Sequence, residues 1–516
     1  MNAFSTLEHL NLIAGQDSRP HAVVIGSGFG GLAAAVRLQA KGWRVTVLER
    51  LDAPGGRAYV HHRDGHVFDA GPTIVTVPSL LEDLWAIAGR RLSDDVTLQR
   101  LDPFYRIRFS DGDHFDYSGD ADRMRAEIAR ISPADAGGYE CFIEKADQCY
   151  HLGFQTLGTK PFHSVADLLK ATPLIARMQG WRSLHGMVAS HFKHPKLRAA
   201  LSLQSLLIGG NPFSVTSVYS LINALERQWG VHWTVGGTGR LIAGMVDLLE
   251  GLGGRLRCQA TVRRIEVDQG RVTGVTLEGG ERIAADIVVS NADAAHTYRE
   301  MMAHVPRRRW TDARTERGRY SMSLFVWYFG TRRQYTDVPH HMMLLGPRYK
   351  ELLRDIFHRH KLSGDFSLYL HRPTATDASM APPGCDTFYA LVPVPHLDSG
   401  TDWSVQAEPL RRAVAAVLDA TVLPGFEQHL STSFVTTPLD FRDRLLSFKG
   451  AAFGLEPVLL QSAWFRPHIR SEEAEGLFMV GAGTHPGAGV PGVLMSAQVL
   501  DDVVPSAREF VQGQRA

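Results

Sequence analysis

Val23-Val24-Ile25 runs directly into Gly26-Ser27-Gly28-Phe29-Gly30-Gly31, an Ala- and Leu-rich stretch follows from Leu32 to Leu38, and Val45-Thr46-Val47-Leu48 then ends on the acid Glu49. This order predicts a strand, a glycine turn, a helix and a second strand, which is the opening of a doubly wound α/β domain. Each glycine has its own task. Gly26 makes the tight turn, Gly28 lets the backbone approach a diphosphate, and Gly31 lets the helix pack on the strand, while the helix N-terminus faces the negative charge. Gly26, Ser27, Gly28, Gly30 and Gly31 are therefore candidate diphosphate contacts, and Glu49 is placed to accept hydrogen bonds from a ribose. A glycine-rich turn inside a plain α/β fold is the competing reading.

The segment that follows narrows the ligand. Leu51-Asp52-Ala53-Pro54-Gly55-Gly56-Arg57 brings backbone close to the ligand a second time and follows it with a fixed cation that has several donors. A nicotinamide dinucleotide has no use for this second loop, whereas a ligand carrying an isoalloxazine and lying extended across the domain does. A loop with an ordinary surface arginine is the alternative.

At 516 residues the chain is too long for one ordinary core, so two domains sharing a cleft are expected. With 55 Lys and Arg against 54 Asp and Glu, no global field argues for nucleic acid. Cys141, Cys149, Cys258 and Cys385 have no CxxC spacing, which fits a reducing compartment and suggests neither a disulfide framework nor a zinc site. His340-His341 stand without a partner at ligand spacing, so no metal is expected. Residues 1–20 carry no secretory pattern and read as a flexible extension; the apolar run from Ala22 to Val36 is broken by glycines and is too short to span a bilayer.

Charge is unevenly spread. No acidic residue lies between Asp167 and Glu226, while Lys170, Arg177, Arg182, Lys193, Lys196 and Arg198 do. Leu174, Ile175, Met178, Trp181, Leu184, Met187 and Phe192 are interleaved with them at helical spacing. Residues 168–225 are thus a candidate membrane-contacting segment, a basic, Trp-containing amphipathic stretch suited to an anionic interface; an ordinary helix with its solvated face outward is the alternative.

The nucleotide domain is expected to be discontinuous, built from residues 21–93, 236–295 and 466–516. Its later parts include a helix from Arg240 to Glu250, a strand from Cys258 to Ile265, the strand ending at Ser290-Asn291-Ala292-Asp293, and a helix from about Val493 to Val504. Residues 94–235 and 296–465 would form a mixed α+β substrate domain. In it the uninterrupted run Phe325-Val326-Trp327-Tyr328-Phe329 reads as a strand buried on both faces.

Three blocks point in one direction: the glycine turn with Glu49 and Pro54-Gly55-Gly56-Arg57, the segment around Val262 and Ser290-Asn291-Ala292-Asp293, and Gly481-Ala482-Gly483-Thr484-His485-Pro486-Gly487-Ala488-Gly489-Val490-Pro491-Gly492 near the C-terminus. Together they resemble the bacterial-type phytoene desaturases, FAD-containing enzymes of the flavin amine-oxidase-like superfamily. The likeness extends to Ile208-Gly209-Gly210-Asn211-Pro212-Phe213 and Gln461-Ser462-Ala463-Trp464-Phe465-Arg466-Pro467-His468. It implies a Rossmann-type FAD domain with a mixed α+β substrate domain, and desaturation of phytoene to neurosporene or lycopene by successive hydride and proton removal.

Carried onto this chain, the resemblance places Glu49 and Arg50 by the adenosine ribose, Gly56 and Arg57 toward the flavin, Val262 by adenine, and Gly483 and Val493 by the ribityl chain and ring. His485 and Asp443 are the candidate proton acceptors. It also implies a peripheral association with the cytoplasmic side of the inner membrane and a quinone or oxygen as electron acceptor; the oligomeric state is open. Other carotenoid oxidoreductases of this fold (saturases, isomerases, oxidases), an amine or porphyrinogen oxidase, and a prenyl-binding escort module that does no flavin chemistry are the rival readings.

Overall fold

The computed structural model describes residues 18–515, so the expected N-terminal extension lies outside the described residues up to position 17. Two sheets organise the chain. The first is parallel, with the strand order Leu477–Met479, Ile287–Ser290, His21–Ile25, Arg44–Leu48, Arg255–Arg257. Its central strand is buried along its whole length, as a parallel strand covered on both faces must be. The helix Phe29–Ala40 lies against it, and Val490–Val503 and Thr238–Gly251 pack on that helix in turn. All five strands come from residues 21–93, 236–295 and 466–516.

The expected strand from Cys258 to Ile265 begins only at Val262 and runs on to Asp268, with a separate short strand, Arg255–Arg257, before it. Arg255–Arg257 closes the parallel sheet, and Val262–Asp268 starts an antiparallel one with Arg271–Leu277 and Arg282–Ala284. Between them Gln259 takes positive φ (53°), and the backbone N–H groups of Gln259 and Ala260 donate to the carbonyls of Leu51 and Glu49. This step carries Val262 across the end of the second strand.

The second sheet has seven strands, in the order Leu430–Thr436, Ser323–Thr331, Asp386–Val394, Leu368–His371, His341–Leu344, Tyr105–Arg108, His114–Tyr117. It is antiparallel except where His341–Leu344 meets Tyr105–Arg108. All nine residues of Ser323–Thr331 are buried, as the uninterrupted aromatic run predicts.

The basic stretch differs from its expected single amphipathic face. It forms Val165–Arg177 and then a series of short helices, and Met178, Leu184, Met187 and Phe192 are core residues at 0–1% exposure. The apolar groups left in solvent are Val165, Leu169 and Trp181, each 60% exposed or more. Helical spacing could not separate the two sets, because the chain turns at Gln179, where φ is 55°, and the later positions fold under the surface. Among the described residues no helix is long and apolar enough to cross a membrane.

Candidate nucleotide and substrate cavity

The glycine turn sits at the carboxyl edge of the parallel sheet, where α/β folds place their ligands. Gly26 adopts φ of 90°, and a Cβ on Gly31 would lie 2.0 Å from the Gly26 carbonyl oxygen. Asn291, at the end of a neighbouring strand, braces the turn from beneath: Cβ atoms on Gly28 and Gly30 would stand 3.1 and 2.7 Å from its side-chain amide. The helix Phe29–Ala40 begins at Gly28 with no side-chain cap and no acid in its first turn. Its N-terminal partial charge is therefore left uncompensated beside the cavity.

Glu49 is buried at the tip of the second strand. One of its oxygens accepts from the Ser27 N–H (2.9 Å) and Oγ–H (2.7 Å), the other from the Leu51 N–H (2.9 Å). Ser27 thus faces Glu49 rather than the cavity. Arg50 lines the cavity and donates to the carbonyls of Asp443 (2.5 Å) and Arg444 (2.7 Å), tying the nucleotide segment to the substrate segment. Gly55 and Gly56 both take positive φ. Arg57 follows, half-buried, with one bond to Ser447 Oγ (3.1 Å) and its Nε buried without a partner; burial pulls its pKa down, and nearby Asp293 opposes the change.

A second helix, Val490–Val503, starts at Gly489 with neither cap nor acid in its first turn and also presents its N-terminus to the cavity. Val493 lines the cavity on this side. Gly483 does not: a Cβ there would meet Ala294 at 2.9 Å, so this glycine serves close packing. The preceding loop is held by the buried Arg466, which donates to the carbonyls of Ala482 (2.8 Å) and Leu455 (3.1 Å).

From this polar end one continuous cavity of about 720 Å3 runs between the sheets. Its far walls are apolar. Leu168, Ala171 and Ile175 come from Val165–Arg177, Leu203 and Leu207 from a short helical turn, and Tyr328, Tyr369, Tyr389 and Phe434 from the seven-stranded sheet. Tyr328 and Phe434 stack with centroids 4.7 Å apart. The aromatic wall alone would suit an amine as readily as a polyene.

The two proton-acceptor candidates part company. His485 lines the cavity; its Nε2–H donates to the Leu157 carbonyl (3.0 Å), Phe162 packs edge-on, and Nδ1 is buried without a partner. Burial lowers its pKa to about 4, so the ring is neutral at physiological pH. Asp443 is set aside: its carboxylate is 60% exposed, is forked by Arg442 and does not line the cavity. Sequence position could not place it, because Asp443 is the last residue of a short helix and its carboxylate is held outward by Arg442, while Asp440, one turn earlier, lines the cavity.

The structure adds a carboxylate that sequence reading passes over. Glu226 lines the cavity, is fully buried, accepts from the Tyr105 hydroxyl (2.9 Å) and is pushed up to about 8 by desolvation. Its position as the first acid after a 58-residue acid-free stretch was the available signal. Another correction concerns His340 and His341. His371, on the paired strand, lies within ligand spacing of both, so the expectation that they lack partners does not hold.

Comparison with known proteins completes the description. The family model for flavin containing amine oxidoreductases matches residues 29–498. A neurosporene-forming phytoene desaturase of Cereibacter sphaeroides is 51% identical over 491 residues, covering 94% of this chain and 95% of the relative. A lycopene-forming phytoene desaturase of a Paracoccus species is 48% identical, with 94% and 97% covered. Among solved structures, an oxidoreductase of Methanosarcina mazei aligns with a TM-score of 0.64 at 17% identity, over 93% of this chain and 100% of that one. Cyclohexylamine oxidase of Brevibacterium oxydans aligns with a TM-score of 0.61 at 15% identity, over 96% and 100%. At such identities the structural likeness speaks to the fold alone.

Proposed function

The chain belongs to the flavin-containing amine oxidoreductases and, within them, to the bacterial phytoene desaturases; on that premise we infer that it desaturates phytoene with FAD, forming neurosporene or lycopene in carotenoid biosynthesis. The observation that carries this reading is the single cavity joining a glycine-lined polar end to a long apolar one, in a chain alike over more than nine-tenths of its length to phytoene desaturases of both product types.

The residues present fit FAD. Two helix N-termini without acid or cap converge on one cavity, which suits a diphosphate at one and electron-rich ring edges at the other. Gly26, Gly28, Gly55 and Gly56 present bare backbone to the cavity. Arg57 retains an unpartnered buried Nε. Gly26, Gly28 and Gly30 would hold the diphosphate, Glu49 and Arg50 the ribose, Val262 the adenine, and Gly56, Arg57 and Val493 the flavin end. Ser27 and Gly31 support the turn from behind. When bound, FAD supplies the hydride acceptor of the desaturation.

A hydrocarbon offers no polar handle, so the protein orients it by shape and excludes water with apolar and aromatic walls. Loss of hydride leaves positive charge on an allylic carbon, which makes the neighbouring C–H strongly acidic. A weak base is then sufficient. The neutral imidazole of His485, with a bare Nδ1, is proposed to take that proton. Glu226 is held protonated near neutral pH, which argues against it in that role.

Supply from a membrane is proposed as well. The helix Val165–Arg177 turns Leu168, Ala171 and Ile175 toward the cavity and Val165 and Leu169 toward solvent, with Trp181 beside them and Lys170, Arg177 and Arg182 nearby. One short helix thus joins an apolar outer surface to the apolar interior, as extraction of a lipid-dissolved substrate requires. The four free cysteines accord with a position on the cytoplasmic side of the inner membrane, and reoxidation by a quinone or oxygen accords with a substrate site near lipid.

Incubating the purified protein with FAD, liposomes and phytoene tests the reading, with quinone and aerobic arms. Appearance of the longer-wavelength absorption of neurosporene or lycopene is expected. Unconverted phytoene in both arms, with flavin bound, would overturn it. In the same assay His485→Gln should lower turnover at least tenfold while FAD content holds; unchanged turnover removes His485 from the chemistry.

A further inference from the structure

His341 and His371 face each other in register on paired antiparallel strands, and His340 precedes the first of these strands. All three are at most 5% exposed. One nitrogen of each ring lies within 4.8 Å of the other two, and the Nδ1 atoms of His341 and His371 are 3.3 Å apart.

The surroundings suit a ligand set. His340 Nδ1 is hydrogen-bonded to Thr376 Oγ1 (2.7 Å) and His341 Nδ1 to the Tyr369 hydroxyl (2.6 Å), the kind of oxygen partner that orients a metal-binding imidazole. Trp233 packs on the rings of His340 and His371, with centroids 4.7 and 5.3 Å away. The neighbouring Arg372 is neutralised by buried Asp386 at 2.9 Å. Yet the Nε2 atoms of all three histidines are buried with no partner. Three orphaned polar atoms in one place within a sheet interior are a costly arrangement if nothing else binds there.

We propose that His340, His341 and His371 form a site for a divalent first-row transition ion that favours imidazole nitrogen, with zinc as the representative ion. A metal takes a bare nitrogen from each ring, whereas a hydrogen bond between two imidazoles satisfies one nitrogen only by using the proton of the other. The site is separate from the nucleotide and substrate contacts. It lies behind the cavity wall, in touch with it through Tyr369 and through Tyr389, whose ring packs 4.7 Å from that of His371, and so pins the strands His341–Leu344 and Leu368–His371 at the end where these cavity tyrosines are mounted.

The test uses the full-length, FAD-bound chain without an affinity tag. After incubation with Zn(II) and desalting, about one retained zinc per chain is expected, falling at least tenfold in both H371Q and H340Q. Replacement by Co(II) should give the visible ligand-field absorption of a four-coordinate nitrogen site, and added zinc should raise the thermal midpoint in a concentration-dependent way in the parent chain alone. FAD absorbance verifies that the variants fold, and the cobalt spectrum of the parent chain decides the matter even if they do not. No zinc retained by the parent, equal retention in folded variants, or no four-coordinate cobalt signal would overturn the proposal and leave the trio a neutral hydrogen-bonded cluster.

Discussion

At Gly31 a single missing methyl group decides whether the nucleotide turn can close. A Cβ there would fall 2.0 Å from the Gly26 carbonyl oxygen, a backbone atom held in the turn. Gly31→Ala is expected to lose at least about 2 kcal/mol of stability and roughly tenfold of FAD content, read by denaturant titration and by the flavin-to-protein absorbance ratio; normal flavin content would refute the packing argument. Glu226 carries a second residue-level consequence. Its pKa is about 8 folded and near 4.5 when exposed, so the unfolded chain loses this proton first and native stability drains away as pH rises through that window. In E226Q nothing ionises, and the stability advantage of the variant should widen by about 3 kcal/mol between pH 4.5 and 7. A gap that stays flat with pH would show that the acid is not buried in its neutral form. The glycine could be read from the sequence because its constraint is local; Glu226 could not, because its character comes from Tyr105 and from walls more than a hundred residues away.

Among the elements, Val165–Arg177 has the most distinctive division of labour. It is started by a capping box between Ser164 and Asp167, and its apolar residues go two ways, some into the cavity and some into solvent. Leu169→Glu and Trp181→Glu touch only exposed positions and should change stability by no more than about 0.5 kcal/mol. Binding to anionic liposomes is nevertheless expected to fall roughly fivefold in flotation assays, with phytoene turnover following and FAD content unchanged. Undiminished binding in the double variant would remove this helix from the membrane proposal. Composition pointed to the region, but it drew the segment too long: periodicity reports that a face is apolar, not whether protein or solvent covers it. The helices at Phe29–Ala40 and Val490–Val503 were easier to foresee, since the glycines that start them are part of their chemistry.

For the whole molecule, the two-sheet plan makes burial of titratable groups unavoidable, and histidines bear much of it. His485 and His468 are both lowered to about 4, chiefly by desolvation. Exposed by unfolding, each binds a proton near pH 6.5, so their contribution is intact above that pH and is lost as pH falls toward 4. Relative to H485Q or H468Q, the unfolding free energy of the parent chain should decline by up to about 1.4 kcal/mol per pH unit over that window, read as the parent-minus-variant difference in denaturant titrations between pH 7 and 5 at fixed salt. A difference independent of pH there would contradict the buried neutral state of these rings. What the sequence alone determined was the local machinery: the strand, turn and helix around Gly26 to Gly31, the acid after the second strand, the second glycine loop and the aromatic central strand, all of which depend on neighbours along the chain. Which carboxylate faces the cavity, which leucines remain in solvent, and that His371 joins His340 and His341 were decided by tertiary structure alone. Those properties belong to surfaces assembled from distant strands, and burial, unlike backbone conformation, has no signature in adjacent residues.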